Sequence, residues 1–211
     1  MFTLAENPIN SIEVFLQKAL KESLNYEEYR ELVHQLATDN SNTGLERTEA
    51  LANYTKLNDR RMGRWDKTLK MPETVIDKIK SLNQKLTWLV ITESWCGDAS
   101  PSLPVMNKMA ELSSHLELRI VLRDEHPELM DVFLTNGARS IPKLIVLNGN
   151  TNDVLGEWGP RSPKATEMVM DEKKWYGKLR PEFKQELQVF YNKDKGEDIL
   201  NDLVSLLSDL K

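Results

Sequence analysis

One stretch brings together residue types able to do covalent chemistry: Thr92-Glu93-Ser94-Trp95-Cys96-Gly97-Asp98-Ala99-Ser100-Pro101, which holds the only cysteine of the chain. Before it runs the apolar segment Leu86-Thr87-Trp88-Leu89-Val90-Ile91, which suits a buried strand; after it the apolar residues recur with helical period. Cys96 therefore falls where a strand turns into a helix. A thiol at the exposed start of a helix meets unpaired backbone N–H groups and the positive end of the helix dipole, and both favour a nucleophilic thiolate at neutral pH. Asp98 opposes the thiolate with its own charge, a cost that shrinks if its carboxylate caps the helix. The plain alternative is a small buried hydrophobe, which is what most free cysteines are.

The elements that must position this stretch follow from periodicity. A first helix is expected from Ile12, with Phe15, Leu16, Ala19 and Leu20 on one stripe and Asn10 and Glu13 placed to cap it. Asn25 and Glu28 open a second helix carrying Tyr29, Leu32, Val33 and Leu36, which ends in the turn-rich segment Asn40 to Gly44. Thr43 and Glu46 read as a capping box for a third, through Leu51, Tyr54 and Leu57, and Pro72 opens a fourth through Val75, Ile76, Ile79 and Leu82. Arg60, Arg61, Arg64 and Trp65 form a basic and aromatic cluster, either a face for an anionic ligand or a solvated helix end.

After Cys96 the helix carries Leu103, Met106 and Ala110, with Pro104 inside it as a bending point. Leu116 to Leu122 alternates as a strand, Glu128 to Leu134 reads as a helix closing at Asn136-Gly137, and Ile141–Leu147 and Asp153–Trp158 pair through a turn at Asn148-Gly149-Asn150. The remainder is helical, in three stripes. The expected organisation is a helical N-terminal extension over residues 1–84 and an α/β domain over 85–211.

Composition bounds the function. With 40% hydrophobic and 29% charged residues and a formal net charge of -5, the chain gives no reason to expect nucleic acid or an anionic membrane as partner. The opening Met1 to Pro8 lacks the charged start and apolar run of a signal peptide, and no segment is apolar enough to span a bilayer, so a cytoplasmic protein is expected. A single cysteine excludes an internal disulfide and a multi-cysteine metal cage, and the three histidines, His34, His115 and His126, are spread too widely for a zinc motif.

In this order the residues resemble the thioredoxin superfamily. The resemblance rests on Trp95-Cys96-Gly97 at a strand end, Pro104 where thioredoxins carry a helix-bending proline, and Gly137-Ala138-Arg139-Ser140-Ile141-Pro142, which is similar to the family's cis-proline loop. It implies a thioredoxin-like fold, a mixed four-stranded sheet with flanking helices, plus the N-terminal extension and extra C-terminal helices. It also implies that Pro142 packs against the Cys96 thiol and that the backbone of Ile141 pairs with an extended substrate as an added strand. Trp95 and the Gly159-Pro160 loop would form an apolar rim, with Gly97 and Asp98 completing the site.

Three departures restrict the chemistry. Ala99 stands where thioredoxins have their second cysteine, so the monomer forms no intramolecular disulfide. Val90 stands where they bury an acid. Asp98 replaces the proline beside the thiol. Two functions remain: a monothiol protein that exchanges disulfides of proteins or low-molecular-weight thiols through a mixed disulfide at Cys96, and a redox-inactive module that docks protein or peptide partners in the same groove. Monothiol glutaredoxins also carry one cysteine and hold an iron–sulfur cluster, but the motif here does not match theirs closely; neither a metal nor a cofactor is expected. The oligomeric state stays open.

Overall fold

A computed structural model of the chain describes residues 8–210, with side chains from Ile12 onward. Residues 1–7, on which the expectation of no signal peptide rests, and the side chain of Asn10 lie outside the described residues. Four helices, α1 (Pro8–Glu22), α2 (Tyr26–Thr38), α3 (Glu49–Thr68) and α4 (Glu73–Lys80), lead into β1 (Leu86–Thr92), α5 (Ala99–Ala110), β2 (Leu116–Leu122), α6 (Pro127–Val132), β3 (Lys143–Asn148) and β4 (Val154–Trp158). Three more follow: α7 (Pro163–Tyr176), α8 (Pro181–Asp194) and α9 (Glu197–Asp209).

The strands form one mixed sheet in the order β2-β1-β3-β4, with β1 parallel to β2 and antiparallel to β3, and β3 antiparallel to β4. Burial follows this order. Every residue of β1 is buried, and so is β3 up to its last residue, because helices cover both faces of the sheet's centre. Edge strand β4 is largely solvated. The outer edge of β2 is not left bare: Leu24, between α1 and α2, exchanges two backbone hydrogen bonds of 2.8 Å with Ile120. The helices before residue 84 thus pack into the same core as the sheet, through Leu16, Ala19, Tyr29, Val33 and Met62.

Helix α5 carries the chemistry. Its apolar residues were expected as a stripe, yet Ala99 through Met106 are all buried, since α3, α4, β2 and α9 surround it. Pro104 sits within it and has no N–H to offer the carbonyl of Ser100.

Three local readings are corrected. Asn25 and Glu28 do form the capping box of α2, but the start of α3 is capped by Thr48, whose Oγ1 accepts from the Leu51 N–H, and not by Thr43. Helix α1 begins at Pro8, ahead of the expected cap at Asn10. Asn136-Gly137, both left-handed, turn the chain between Thr135 and Ala138 beyond the end of α6 instead of closing that helix.

Candidate functional site

The junction between β1 and α5 is held from behind by a polar network that the sequence reading did not find. Thr43, released from any helix-capping task, donates its hydroxyl to Glu93 and accepts the Ser94 N–H at 2.9 Å, while its own N–H donates to Ser94 Oγ at 3.0 Å. The other carboxylate oxygen of Glu93 accepts the Asp124 N–H at 2.9 Å. Thr55 Oγ1 lies 2.8 Å from Ser94 Oγ, and Asn58 Nδ2 donates to the Ser94 carbonyl at 2.9 Å. Thr43, Thr55, Asn58, Glu93 and Ser94 are all buried. Burial, set against the bonds from Thr43 and Asp124, raises the Glu93 carboxyl above the usual carboxylate range. Val90 stands where thioredoxins bury an acid; this chain buries Glu93 instead, at the far end of the same strand. A lone acid directly after a mainly apolar strand, whose polar residues are Thr87 and Thr92, was its sequence signal.

The segment Asn42–Gly44 is thereby laid over the indole of Trp95. A Cβ added at Gly44 would lie 2.8 Å from Trp95 Nε1, closer than real Cβ atoms come, and a tight 3.0 Å from Asn42 Oδ1. Gly44→Ala is expected to cost about 1–3 kcal/mol and to shift the tryptophan emission as Trp95 is displaced, measured by denaturant unfolding and fluorescence.

Cys96 is 6% exposed, and its Sγ donates to the Ile141 carbonyl at 3.3 Å. Ile141–Pro142 is a cis peptide. The thiol is therefore not at an exposed helix start, and the activation that a solvated helix end would give it is opposed by its burial. Burial, then the charge of Asp98, push it up to about 12, against the backbone N–H groups of Ala99 and Asp98 and the cation of Arg161, which favour the thiolate. At neutral pH the resting sulfur is protonated. The Ile141 carbonyl, expected to await a substrate strand, is occupied by that S–H.

Asp98 does not cap α5 with its side chain. It turns instead to Arg161, 2.6 Å away, and accepts the Tyr191 hydroxyl at 3.0 Å. Burial raises its carboxyl above the usual range while Arg161 and Tyr191 pull it down. Neither partner was foreseen, because Arg161 lies in the loop after β4 and Tyr191 on α8, both remote in sequence.

A cavity of about 530 Å³ opens over the thiol, a size that suits a small molecule. Its floor is Trp95, Cys96, Gly97, Asp98 and Ile141, so five of the predicted site residues converge there. Pro142 and Gly159 do not line it. They pack on each other behind it, where a Cβ at Gly159 would come 2.3 Å from the Pro142 carbonyl oxygen, at a φ of +113° that only glycine tolerates. One wall is α3, with Leu51, Tyr54, Leu57 and Arg61; the opposite wall is α8, with Phe183, Lys184, Leu187 and Gln188. Of the basic cluster noted in the sequence, only Arg61 reaches this cavity, whereas Arg64 bonds Asn192 on the outside.

A strand–helix–strand unit feeding an antiparallel hairpin, with a cysteine at the first strand–helix junction facing an Ile–cis-Pro step, defines a thioredoxin-like protein. A family model described as thioredoxin matches residues 44–174, well over half of the chain, and the protein belongs to that family. No curated protein matches the sequence. Among solved structures, a protein of unknown function from Pseudomonas aeruginosa is 18% identical with a TM-score of 0.56, covering 88% of this chain and 98% of its own. An HIV epitope scaffold is 16% identical with a TM-score of 0.53, covering 89% of this chain and all of its own, at 100%. Both share the fold. Among the described residues, no helix is long and apolar enough to cross a membrane, and no three His, Cys, Asp or Glu side chains gather as a metal site.

Proposed function

We propose that the protein is a monothiol exchange protein acting on small disulfides inside a walled pocket. The observation that carries this reading is the placement of Cys96 on the floor of the cavity at the start of α5, where the N–H groups of Asp98 and Ala99 favour its thiolate. Those N–H groups are worth most to the thiolate, so they stabilise the attacking and leaving form of the sulfur more than the resting thiol. In the forward step the Cys96 sulfur bonds one sulfur of RS–SR, the S–S bond breaks, and RS⁻ leaves and takes up the proton that Cys96 gave to water. An external thiolate R′S⁻ then bonds the R-bearing sulfur of the mixed disulfide, the bond to Cys96 breaks, R′S–SR leaves and Cys96 returns to the thiolate. With Ala99 where a resolving cysteine would stand, no internal step competes.

The substrate is small because α3 and α8 wall the floor on both sides and the Ile141 carbonyl is already bonded. A cytoplasmic pool of low-molecular-weight thiol would supply the resolving step. Incubation with a small aromatic disulfide at pH 8 is expected to add one half of the reagent to the intact mass, on Cys96, and a monothiol should remove it. An adduct that forms only in denaturant, or that survives excess thiol, would reject the reading.

The second reading, a redox-inactive binding pocket, is favoured by one observation, the burial of a thiol that is protonated at rest. It predicts that the native protein forms no adduct at pH 8 and that ligand binding is unchanged in Cys96→Ser.

A further inference from the structure

We infer that the pocket selects an anionic disulfide, a carboxylate-bearing aromatic or aliphatic one, and that Arg61 is the residue that holds its negative charge. The inference rests on the monothiol reading for its chemistry, but the anion preference stands on separate geometry.

Arg61 enters the cavity from α3 and lies over the backbone beside the thiol: a Cβ at Gly97 would be 4.0 Å from Arg61 Nη1 and 3.7 Å from Gln188 Nε2. It is aimed there by a short relay. Asn58 donates to the Ser94 carbonyl at 2.9 Å and accepts from Arg61 Nη1 at 3.1 Å, so the guanidinium is tied to the same loop that carries Cys96. That single bond to a neutral amide leaves most of its five N–H donors free for a planar oxyanion. Among the described residues Arg61 forms no ion pair, unlike Arg30, Arg119, Arg123, Arg139, Arg161 and Arg180, each of which has a carboxylate within 4.0 Å. Partial burial lowers its pKa from the ordinary arginine value, yet the guanidinium stays a cation, so its charge is held in the cavity without a carboxylate paired to it.

The one acid in the cavity, Asp98, attracts this charge at a distance, but its ion pair and its hydrogen bond are made elsewhere. Asp98 is paired with Arg161 at 2.6 Å and accepts the Tyr191 hydroxyl at 3.0 Å. At the mouth Lys184 adds a second cation, 5.4 Å over the Tyr54 ring. Leu57, Phe183 and Leu187 supply an apolar surface for the body of the ligand. The whole chain carries a formal charge of -5, so a preference for anions has to arise locally, from this pocket.

The reaction assigned to Cys96 is unchanged: the incoming disulfide loses its S–S bond, one half becomes bonded to Cys96, and the other leaves as a thiolate. Arg61 takes no part in the electron movements. It binds the carboxylate and sets the S–S bond over the sulfur.

Two full-length measurements test this. The first compares the rate of Cys96 with 5,5′-dithiobis(2-nitrobenzoate), a dianion, to that with neutral 4,4′-dithiodipyridine, each normalised to a free small thiol. The normalised ratio is expected to favour the dianion by roughly tenfold, to shrink at high salt, to fall to about one in Arg61→Gln and to be partly kept in Arg61→Lys. A ratio near one in the wild type, or one that survives Arg61→Gln, overturns the inference. The second uses the unreactive thioether 5-(methylthio)-2-nitrobenzoate with Cys96→Ser protein in titration calorimetry. Binding that weakens about tenfold on adding Arg61→Gln supports the anion site, and binding indifferent to Arg61, or none, overturns it. Should both disulfides leave the native protein untouched, the monothiol reading fails, while the thioether titration still decides the anion preference.

Discussion

Asp98→Asn is expected to make Cys96 react faster. In the wild type a carboxylate next to the sulfur stands second only to burial among the causes that keep the thiol protonated. Asparagine keeps the shape and can still accept the Tyr191 hydroxyl, but it removes the negative charge and leaves Arg161 beside the sulfur without its partner. Both changes favour the thiolate. A like charge within reach of a titrating group shifts it by about 1–3 pH units, and part of the gain is returned because a less basic thiolate is a weaker nucleophile. The net effect at pH 7.5 is an increase on the order of tenfold in the rate with neutral 4,4′-dithiodipyridine.

The pH profile carries the sign. With the thiol held up to about 12, the wild-type rate should climb about tenfold per pH unit from pH 7 to 9 without levelling. The Asp98→Asn profile should bend at lower pH. A slower variant would mean that Asp98 accepts the thiol proton, and an unchanged one that its charge is spent entirely on Arg161. Either outcome would remove the electrostatic account of the resting site.

Glu93→Ala has the largest expected cost in stability, about 3 kcal/mol. It strips the Thr43 hydroxyl and the Asp124 N–H of their acceptor and leaves a void where a buried side chain stood. Because Thr43 in turn holds Ser94, the loss should reach the cavity floor and lower Cys96 exchange as well. Glu93→Gln separates charge from shape. Its amide can donate to Thr43 Oγ1 and its carbonyl can accept the Asp124 N–H, so the network survives.

The carboxyl of Glu93 is raised in the folded state, which means that the unfolded chain gives up this proton first. The contribution is fully present below the unfolded value, near 4.5, and is lost as pH rises through the folded one. Glu93→Gln should therefore match the wild type near pH 4 and become the more stable protein towards pH 8. Urea unfolding across that range measures it. A Glu93→Gln protein that loses stability relative to the wild type as pH rises would show that the ionised carboxylate is the favoured buried form.

How much of this was legible depends on range. Strand β2 was read from alternation to the residue, and β1, β3 and β4 to within a residue or two, because burial on one or both faces of a sheet imposes a period that local sequence must obey. The capping box of α2 was legible for the same reason: Asn25 and Glu28 are three residues apart and meet by helix geometry alone. Thr43 and Glu46 have the same spacing and did not cap. Glu93 and Ser94, about fifty residues away, compete for the Thr43 hydroxyl inside the core, where an unmet carboxylate costs more than an unmet cap at a solvated helix end.

The sequence by itself determined the fold class, the strand–helix junction at Cys96, the absence of a second thiol and the Ile141–Pro142 step opposite the sulfur. Tertiary structure alone decided the state of that sulfur. Helix periodicity places Cys96 at a helix start, where local dipoles would acidify it, but α3 and α8 close over the start and Asp98 turns from the helix to Arg161. Desolvation and a neighbouring charge then outweigh the two N–H groups that sequence could anticipate. Of the groups behind this balance, Arg161 lies in the loop after β4, and Tyr191, buried on α8, bonds the Asp98 that opposes the thiolate. Arg61 stands out in the sequence as part of a basic cluster, but nothing local marks Arg161 or the Tyr191 hydroxyl for the site, because what they do depends on which distant backbone they come to face.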